Sequence, residues 1–278
     1  MAAAVPSIVL IGAGRVGMNV LRHLSRLGIP VAAVIERDST RHPLIRALHP
    51  AAAVAAVLPD SLPVEAQLCM IAVADGQLPG VVRELSELTS LPEGIIFFHS
   101  SGTLDSSILM PLSDRGCMTG CIHPMQSFSG DDLPDGALSG IGCGIEGNDD
   151  FWLEGRQFAK RIEWQPLRID REKKALYHVA NVLAGNFPIV LAALAEGMLR
   201  ESATDPSQAH IAHFLPMMRT VLERLADTPA ATALTGPAAR GDHDAILRHL
   251  AALEVLDPQL REVYDALTRA AMKLGEKR

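Results

Sequence analysis

With 278 residues, 48% of them hydrophobic, and a formal net charge of −7, the chain has ample apolar material for a core and is not composed like a disordered segment. The acidic balance argues against a nucleic-acid-binding surface as its main function, while leaving room for a small basic pocket. Four cysteines, Cys69, Cys117, Cys121 and Cys143, form no C-x-x-C pair and read as buried thiols in a reducing compartment. The opening MAAAVPSIVLIGAG lacks the basic n-region of a signal peptide, and no stretch holds the roughly 18 uninterrupted apolar residues of a membrane span. A cytoplasmic protein without membrane association is expected.

From Ser7 to about Asp170, short apolar runs alternate with longer amphipathic ones. Strands are predicted at Ser7–Ile11, Val31–Ile35, Leu68–Val73, Ile95–His99, Met118–His123, Cys143–Glu146 and Leu167–Ile169. Helices are predicted at Val16–Leu27, Gln77–Leu88 and Asp150–Ile162. The early strands are continuously apolar, as in a parallel sheet covered on both faces. The Ala-rich stretch Ala51–Ala56 reads as helix or loop. This is the pattern of an α/β fold, a Rossmann doubly wound and mostly parallel sheet.

After Asp170 strand signals vanish. Helical spacing of Ala, Leu and Met runs through Glu172–Ser202, Gln208–Ala226, Asp242–Leu253 and Pro258–Gly275, punctuated by Asp205-Pro206, Thr235-Gly236-Pro237 and Asp257-Pro258. The expected organisation is a nucleotide-binding domain over 1–170 and an all-α domain over 171–278. The helical part is richer in Ala, Leu and Met than one small bundle needs, which predicts a homodimer through it.

The motif Gly12-Ala13-Gly14-Arg15-Val16-Gly17 is G-x-G-x-x-G. It follows the strand SIVLI and opens an amphipathic run, the context that dinucleotide binding requires. Gly12 permits a tight turn, Gly14 lets the pyrophosphate approach the backbone, and Gly17 lets helix and strand pack closely. The helix N-terminus then offers N–H groups and partial positive charge to phosphate. The second strand ends at Glu36, where a carboxylate accepts from a ribose 2′-hydroxyl and repels a 2′-phosphate, which leans toward NAD. Arg37 and Arg41 follow and could pair with the 2′-phosphate of NADP, so both cofactors stay open.

Three further strand ends face the same ligand edge of the sheet. Val73-Ala74-Asp75 could touch the cofactor, or Asp75 could cap the next helix. Ser100 and Ser101, in His99-Ser100-Ser101-Gly102-Thr103, could bind the nicotinamide ribose and a substrate carboxylate respectively, or cap a helix over Leu104–Leu112. No G-x-S-x-G elbow is present, which removes a serine hydrolase. His123 ends a strand and is a general acid/base candidate, or a hydrogen-bonded structural histidine; Gln126 and Ser127 follow it. His99 and His123 have no evident third ligand, so no metal is expected. On the first helix of the all-α part, Lys174, His178 and Asn181 share one face beside Tyr177. They form either a ligand-facing stripe or a solvated one. Arg240, in Leu234–Asp242, could reach an anionic ligand or a partner subunit.

The pieces GAGRVG, IAVADGQL, HSSGTL, HPMQSF, IEG, the K-x-x-Y-H helix and LTGPAARGD, in this order, resemble the Rossmann-like proteins that carry the C-terminal domain of unknown function 2520. The resemblance covers almost the whole chain. That family is similar in architecture to pyrroline-5-carboxylate reductase, ketopantoate reductase and the 6-phosphogluconate dehydrogenase superfamily. The resemblance implies NAD(P) in the N-terminal domain, a small-molecule substrate between it and a helical dimerisation domain, and oxidoreductase chemistry. In many such relatives a catalytic lysine has an asparagine four residues on; here Lys174 is followed at that distance by His178. The leading expectation is an NAD(P)-dependent oxidoreductase acting on a carbonyl, imine or alcohol, with Lys174 or His178 moving the proton and Ser100, Ser101, His123 and Gln126 orienting the substrate. The alternatives are a non-catalytic NAD(P) sensor and a non-redox enzyme on the same fold.

Overall fold

The computed structural model describes residues 7–130 and 132–276; the first six residues, read above as no signal peptide, lie outside them. Among the described residues eight strands form one sheet. They are β1 (Ser7–Ile11), β2 (Val31–Ile35), β3 (Ala53–Ala55), β4 (Ala66–Ile71), β5 (Ile96–His99), β6 (Met118–Pro124), β7 (Gly142–Gly147) and β8 (Gln165–Arg168), in the order β3-β2-β1-β4-β5-β6-β7-β8. The first six run parallel. β7 is antiparallel to β6, and β8 follows β7 in direction. The order reverses at β1 and β4, which is where an open α/β sheet leaves a crevice at its carboxyl ends.

The helices of this region are α1 (Arg15–Arg26), α2 (His42–Leu48), α3 (Leu78–Ser86), the single turn α4 (Met110–Ser113), α5 (Asp149–Arg161) and α6 (Lys174–Gly185). Alternating strand residues build a core on each face. Ile8 and Leu10 pack with Met18, Leu21 and Leu24 of α1 and Phe158 of α5. Val9 and Ile11 pack on the other face with Leu78, Val82 and Leu85 of α3. Both faces are therefore dry, which is why these strands carry no polar alternation.

The remaining helices are α7 (Phe187–Ser202), α8 (Leu215–Arg224), the short turns α9 (Ala230–Ala233) and α10 (Pro237–Arg240), α11 (His243–Leu256) and α12 (Pro258–Gly275). Residues up to Asn186 form one compact unit and those from Phe187 a second. Helical character thus begins near residue 171, but α6 packs with the sheet. In the second unit α10, α11 and α12 pack together, burying Ala245, Ile246, Leu253 and Thr268.

Several expectations are corrected. Ala53–Ala55 is not helix or loop but a short edge strand paired parallel to β2; three residues of AVA carry too little β-branching to announce themselves. The helix expected from Gln208 starts at Leu215, after 3-10 turns at Pro206–Gln208 and Ile211–His213, because Pro216 suits a first helical turn and no later one. The helix expected over Leu104–Leu112 is a 3-10 turn, Ser106–Leu109, followed by α4. Cys117 is only half-buried, whereas the other three thiols are buried. Apart from these corrections, Arg171–Ser202 is long and apolar enough, by length and composition, to cross a membrane. Lys174, His178, Asn181 and Asn186 interrupt it, so no uninterrupted apolar run flagged it in the sequence.

Candidate functional site

The strand registers align Ile11, Ile35, Ile71, His99 and Cys121 in one row across the sheet. The residues just beyond that row are the loops of interest: Gly12, Glu36, Ala72, Ser100 and the extension of β6 to His123. Gly12 has φ +89, and a Cβ there would lie 2.7 Å from Val73 Cγ1. A Cβ on Gly17 would sit 2.0 Å from the Gly12 carbonyl oxygen, whereas one on Gly14 would meet nothing within 4 Å. The turn is thus closed on the protein side and open at Gly14. Gly14 is the N-cap of α1, with no side-chain cap and no acidic residue in the first turn. These features fit a dinucleotide pyrophosphate, which would take the amides of Arg15, Val16 and Gly17.

Glu36 is turned back onto this loop. Its carboxylate accepts from the Ala13 amide at 2.5 Å and the Asp38 amide at 2.8 Å. Arg41 donates to the Ala13 carbonyl at 2.6 Å and pairs with Asp38 at 3.4 Å, so it too braces the turn. Arg37 is exposed. Asp75 does not cap a helix; its carboxylate accepts from the Thr103 hydroxyl, tying the β4 loop to the β5 loop. Ser101 Oγ accepts from the Thr103 and Leu104 amides at 3.2 and 3.0 Å, so it shapes its own loop. The 3-10 turn is capped by Asp105 instead.

Beside this edge lies a cluster of imidazoles. His99 is fully buried, its Nε2 bonded to the Asp105 carbonyl at 3.2 Å. Burial, reinforced by the positive charge of Lys174, lowers its pKa to about 4. His123 Nδ1 lies 2.7 Å from the Tyr177 hydroxyl, and its ring stands edge-on to those of Tyr177 and His178 at 5.6 and 6.1 Å. Burial, then the charges of Lys174 and His178, take its pKa to about 4 as well. Two glycines make the cluster possible. A Cβ on Gly102 would fall 2.5 Å from His178 and 2.8 Å from His123 Nε2; one on Gly144 would fall 2.5 Å from the Tyr177 ring. Burial raises the phenol of Tyr177, so both partners are neutral.

Lys174 is buried, donating from Nζ to Cys121 Sγ at 2.7 Å; burial outweighs that cation and pushes the Cys121 thiol to about 11. Glu146, buried on β7, accepts from the Ser106 amide at 2.7 Å, the Ser106 hydroxyl at 2.8 Å and Arg171 Nε at 3.0 Å. Arg171 sits one turn before Lys174, so this clamp fixes the start of α6 on the sheet. Along α6, Lys174, Tyr177, His178 and Asn181 are buried or half-buried, whereas Leu176, Val179 and Leu183 are 68%, 51% and 55% exposed. The polar stripe is therefore not a solvated face; it is the face turned to the protein. It borders a cavity of about 640 Å³ lined by His123, Gln126, Ser127, Tyr177, His178 and Asn181 among others, a size ordinary for a small-molecule site.

Two family models match the chain: a Rossmann-like domain over residues 2–124 and a domain of unknown function, DUF2520, over residues 141–271. The chain joins a Rossmann-like domain to a DUF2520 domain. The boundary between the matched segments falls inside the first compact unit. The glycine loop and His123 come from the Rossmann-like part, Gly144, Glu146 and the α6 stripe from the DUF2520 part. A candidate NADP oxidoreductase from Bacteroides fragilis matches in structure at 23% identity and a TM-score of 0.73, covering 96% of this chain and 98% of that one. A pyrroline-5-carboxylate reductase from Coxiella burnetii matches at 14% and 0.62, covering 99% and 98%. An imine reductase variant from Myxococcus stipitatus, solved with NAD+, matches at 17% and 0.60, covering 97% and 94%. At these identities the likeness is one of fold. No curated protein matches.

Within the Rossmann–DUF2520 chain, the expected residues divide into groups. Gly12 to Gly17, Glu36, Arg37, Val73 to Asp75 and Ser100 stand along the carboxyl edge. His123, Gln126, His178 and Asn181 line the cavity. Gln126 is tied to the Ala137 carbonyl at 3.0 Å and Asn181 to the Tyr177 carbonyl at 2.9 Å. Arg240 is exposed on α10 of the second unit. Sequence reasoning gave no role to Tyr177, Cys121 or Glu146. Gly144 was the available signal for Tyr177, since a glycine inside a strand often marks a close approach.

Proposed function

We propose that the chain is an NAD(P)-dependent oxidoreductase acting on a small carbonyl, imine or alcohol carbon. The observation that carries this reading is a glycine turn, open at Gly14, on the same sheet edge as the cavity of His123, Tyr177 and His178. A nicotinamide bound along that edge would supply or accept the hydride. The chain's own part is to hold the pyrophosphate on the α1 amides and to supply the accompanying proton. His178 is the better candidate for that transfer, because it lines the cavity while Lys174 is buried against Cys121. Lys174 then serves as a fixed positive charge behind the imidazoles. Glu36 supports NAD over NADP, as its carboxylate stands at the end of β2, where a ribose hydroxyl would come.

The test is a titration of the purified protein with NADH and NADPH, followed by nicotinamide fluorescence. Saturable binding of one cofactor is expected, with NADH the tighter; binding of neither would overturn the proposal. Small keto acids, ketones and cyclic imines would then be screened for oxidation of the bound form. His178→Ala should retain nucleotide affinity and lose about 10²–10⁴ in turnover. A sensor would have no turnover to lose.

A further inference from the structure

We infer that Tyr177 fixes the tautomer of His123, holding Nδ1 as acceptor, so that neutral His123 presents its Nε2–H as a hydrogen-bond donor toward the Gly102 loop at the carboxyl edge of the sheet. What that donor does, polarising the carbonyl oxygen or imine nitrogen of a substrate, rests on the oxidoreductase reading. The tautomer itself does not.

The direction of the 2.7 Å contact follows from where hydrogens can go. The phenol has one hydrogen to place, and a protonated Nδ1 would leave it only the His123 carbonyl, at 3.4 Å. That hydrogen has two possible acceptors, His123 Nδ1 at 2.7 Å and the His123 carbonyl at 3.4 Å. The shorter one wins, since a hydroxyl bond at 3.4 Å lies beyond the normal range. With Nδ1 accepting, a neutral ring carries its proton on Nε2. Nε2 faces Gly102, where no Cβ blocks the imidazole edge. The charged and titratable groups around the ring are Lys174, His178, His99 and Asp75; two of them, Lys174 and His178, oppose a second proton most strongly. A neutral donor held in place costs no reorganisation when negative charge develops on the substrate. Tyr177 is accordingly a positioning residue.

The experiment is long-range 1H–15N correlation spectroscopy of the histidine rings at pH 7, with His123 assigned by its loss in His123→Gln. The expected wild-type pattern is a protonated Nε2 and a bare Nδ1. Tyr177→Phe should convert it to a mixture of tautomers, while a turnover assay shows kcat down on the order of tenfold and KM unchanged. Should Tyr177→Phe fail to fold, uniform fluorotyrosine labelling reads the same bond, because the chain has only two tyrosines, Tyr177 and Tyr264. A more acidic phenol strengthens donation to Nδ1 and should shift its 15N resonance. A wild-type ring protonated on Nδ1, or a ring indifferent to both changes at Tyr177, would overturn the inference. Neither readout needs nucleotide, so failure here is distinct from failure of the cofactor titration.

Discussion

Gly14 and Gly17 stand three residues apart and make opposite demands. A methyl group at Gly14 meets open space, so Gly14→Ala should leave thermal unfolding nearly unchanged while weakening NAD(P)H binding at least about tenfold, as expected where a phosphate would approach. A methyl at Gly17 collides with the Gly12 carbonyl. Gly17→Ala should destabilise the chain by about 3 kcal/mol, the upper range for overpacking, read by urea denaturation. Equal effects of the two changes on stability would contradict this division. The glycine roles were legible in the residues because G-x-G-x-x-G after a buried strand has one mechanical reading. The partners of Asp75 and Ser101 were not. Small polar residues at strand ends cap, bridge or bind with equal ease, and only the folded loop shows Asp75 spent on Thr103 and Ser101 on its own turn.

At the scale of elements, α6 carries the instruction that the sequence could not spell out. The spacing of Lys174, His178 and Asn181 showed that they share a face. Periodicity does not say whether that face meets water or protein, because an apolar stripe on the other side fits either a core or an interface. The antiparallel β7 resolves it by bringing Gly144 opposite His123 and Glu146 beneath Ser106 and Arg171. Glu146→Ala strands the Ser106 amide and hydroxyl in a buried site. A loss of about 2–3 kcal/mol is expected, the usual penalty for unpaired buried polar groups. Hydrogen exchange should show α6 opening first. Uniform loss of protection across the sheet would argue against a local clamp.

At the scale of the molecule, pH and association are the two levers. His99 and His123 have folded-state pKa values near 4, below the 6.5 of an unperturbed imidazole. The unfolded chain therefore binds more protons between these limits, so stability is full above about pH 6.5 and declines as pH falls toward 4. Urea midpoints at pH 7.5, 5.5 and 4.5 should decrease in that order, and His99→Gln should flatten the dependence. The second lever is the uncovered apolar surface. Leu176, Val179 and Leu183 on α6 are exposed, as are Phe187, Ile189 and Val190 on α7. We propose a homodimer as their cover. Sedimentation at micromolar concentration should give a dimer and Leu183→Glu a monomer, whereas partition into lipid vesicles would mean that the stretch Arg171–Ser202 seeks a bilayer instead.

Helix α6 offers its polar side chains to the cavity and its leucines to whatever lies outside. On the proposed homodimer and oxidoreductase readings, partner contact and catalysis would share the same three turns of backbone. Dilution should act as an inhibitor. Specific activity at nanomolar protein is expected to fall below its micromolar value before any unfolding signal appears.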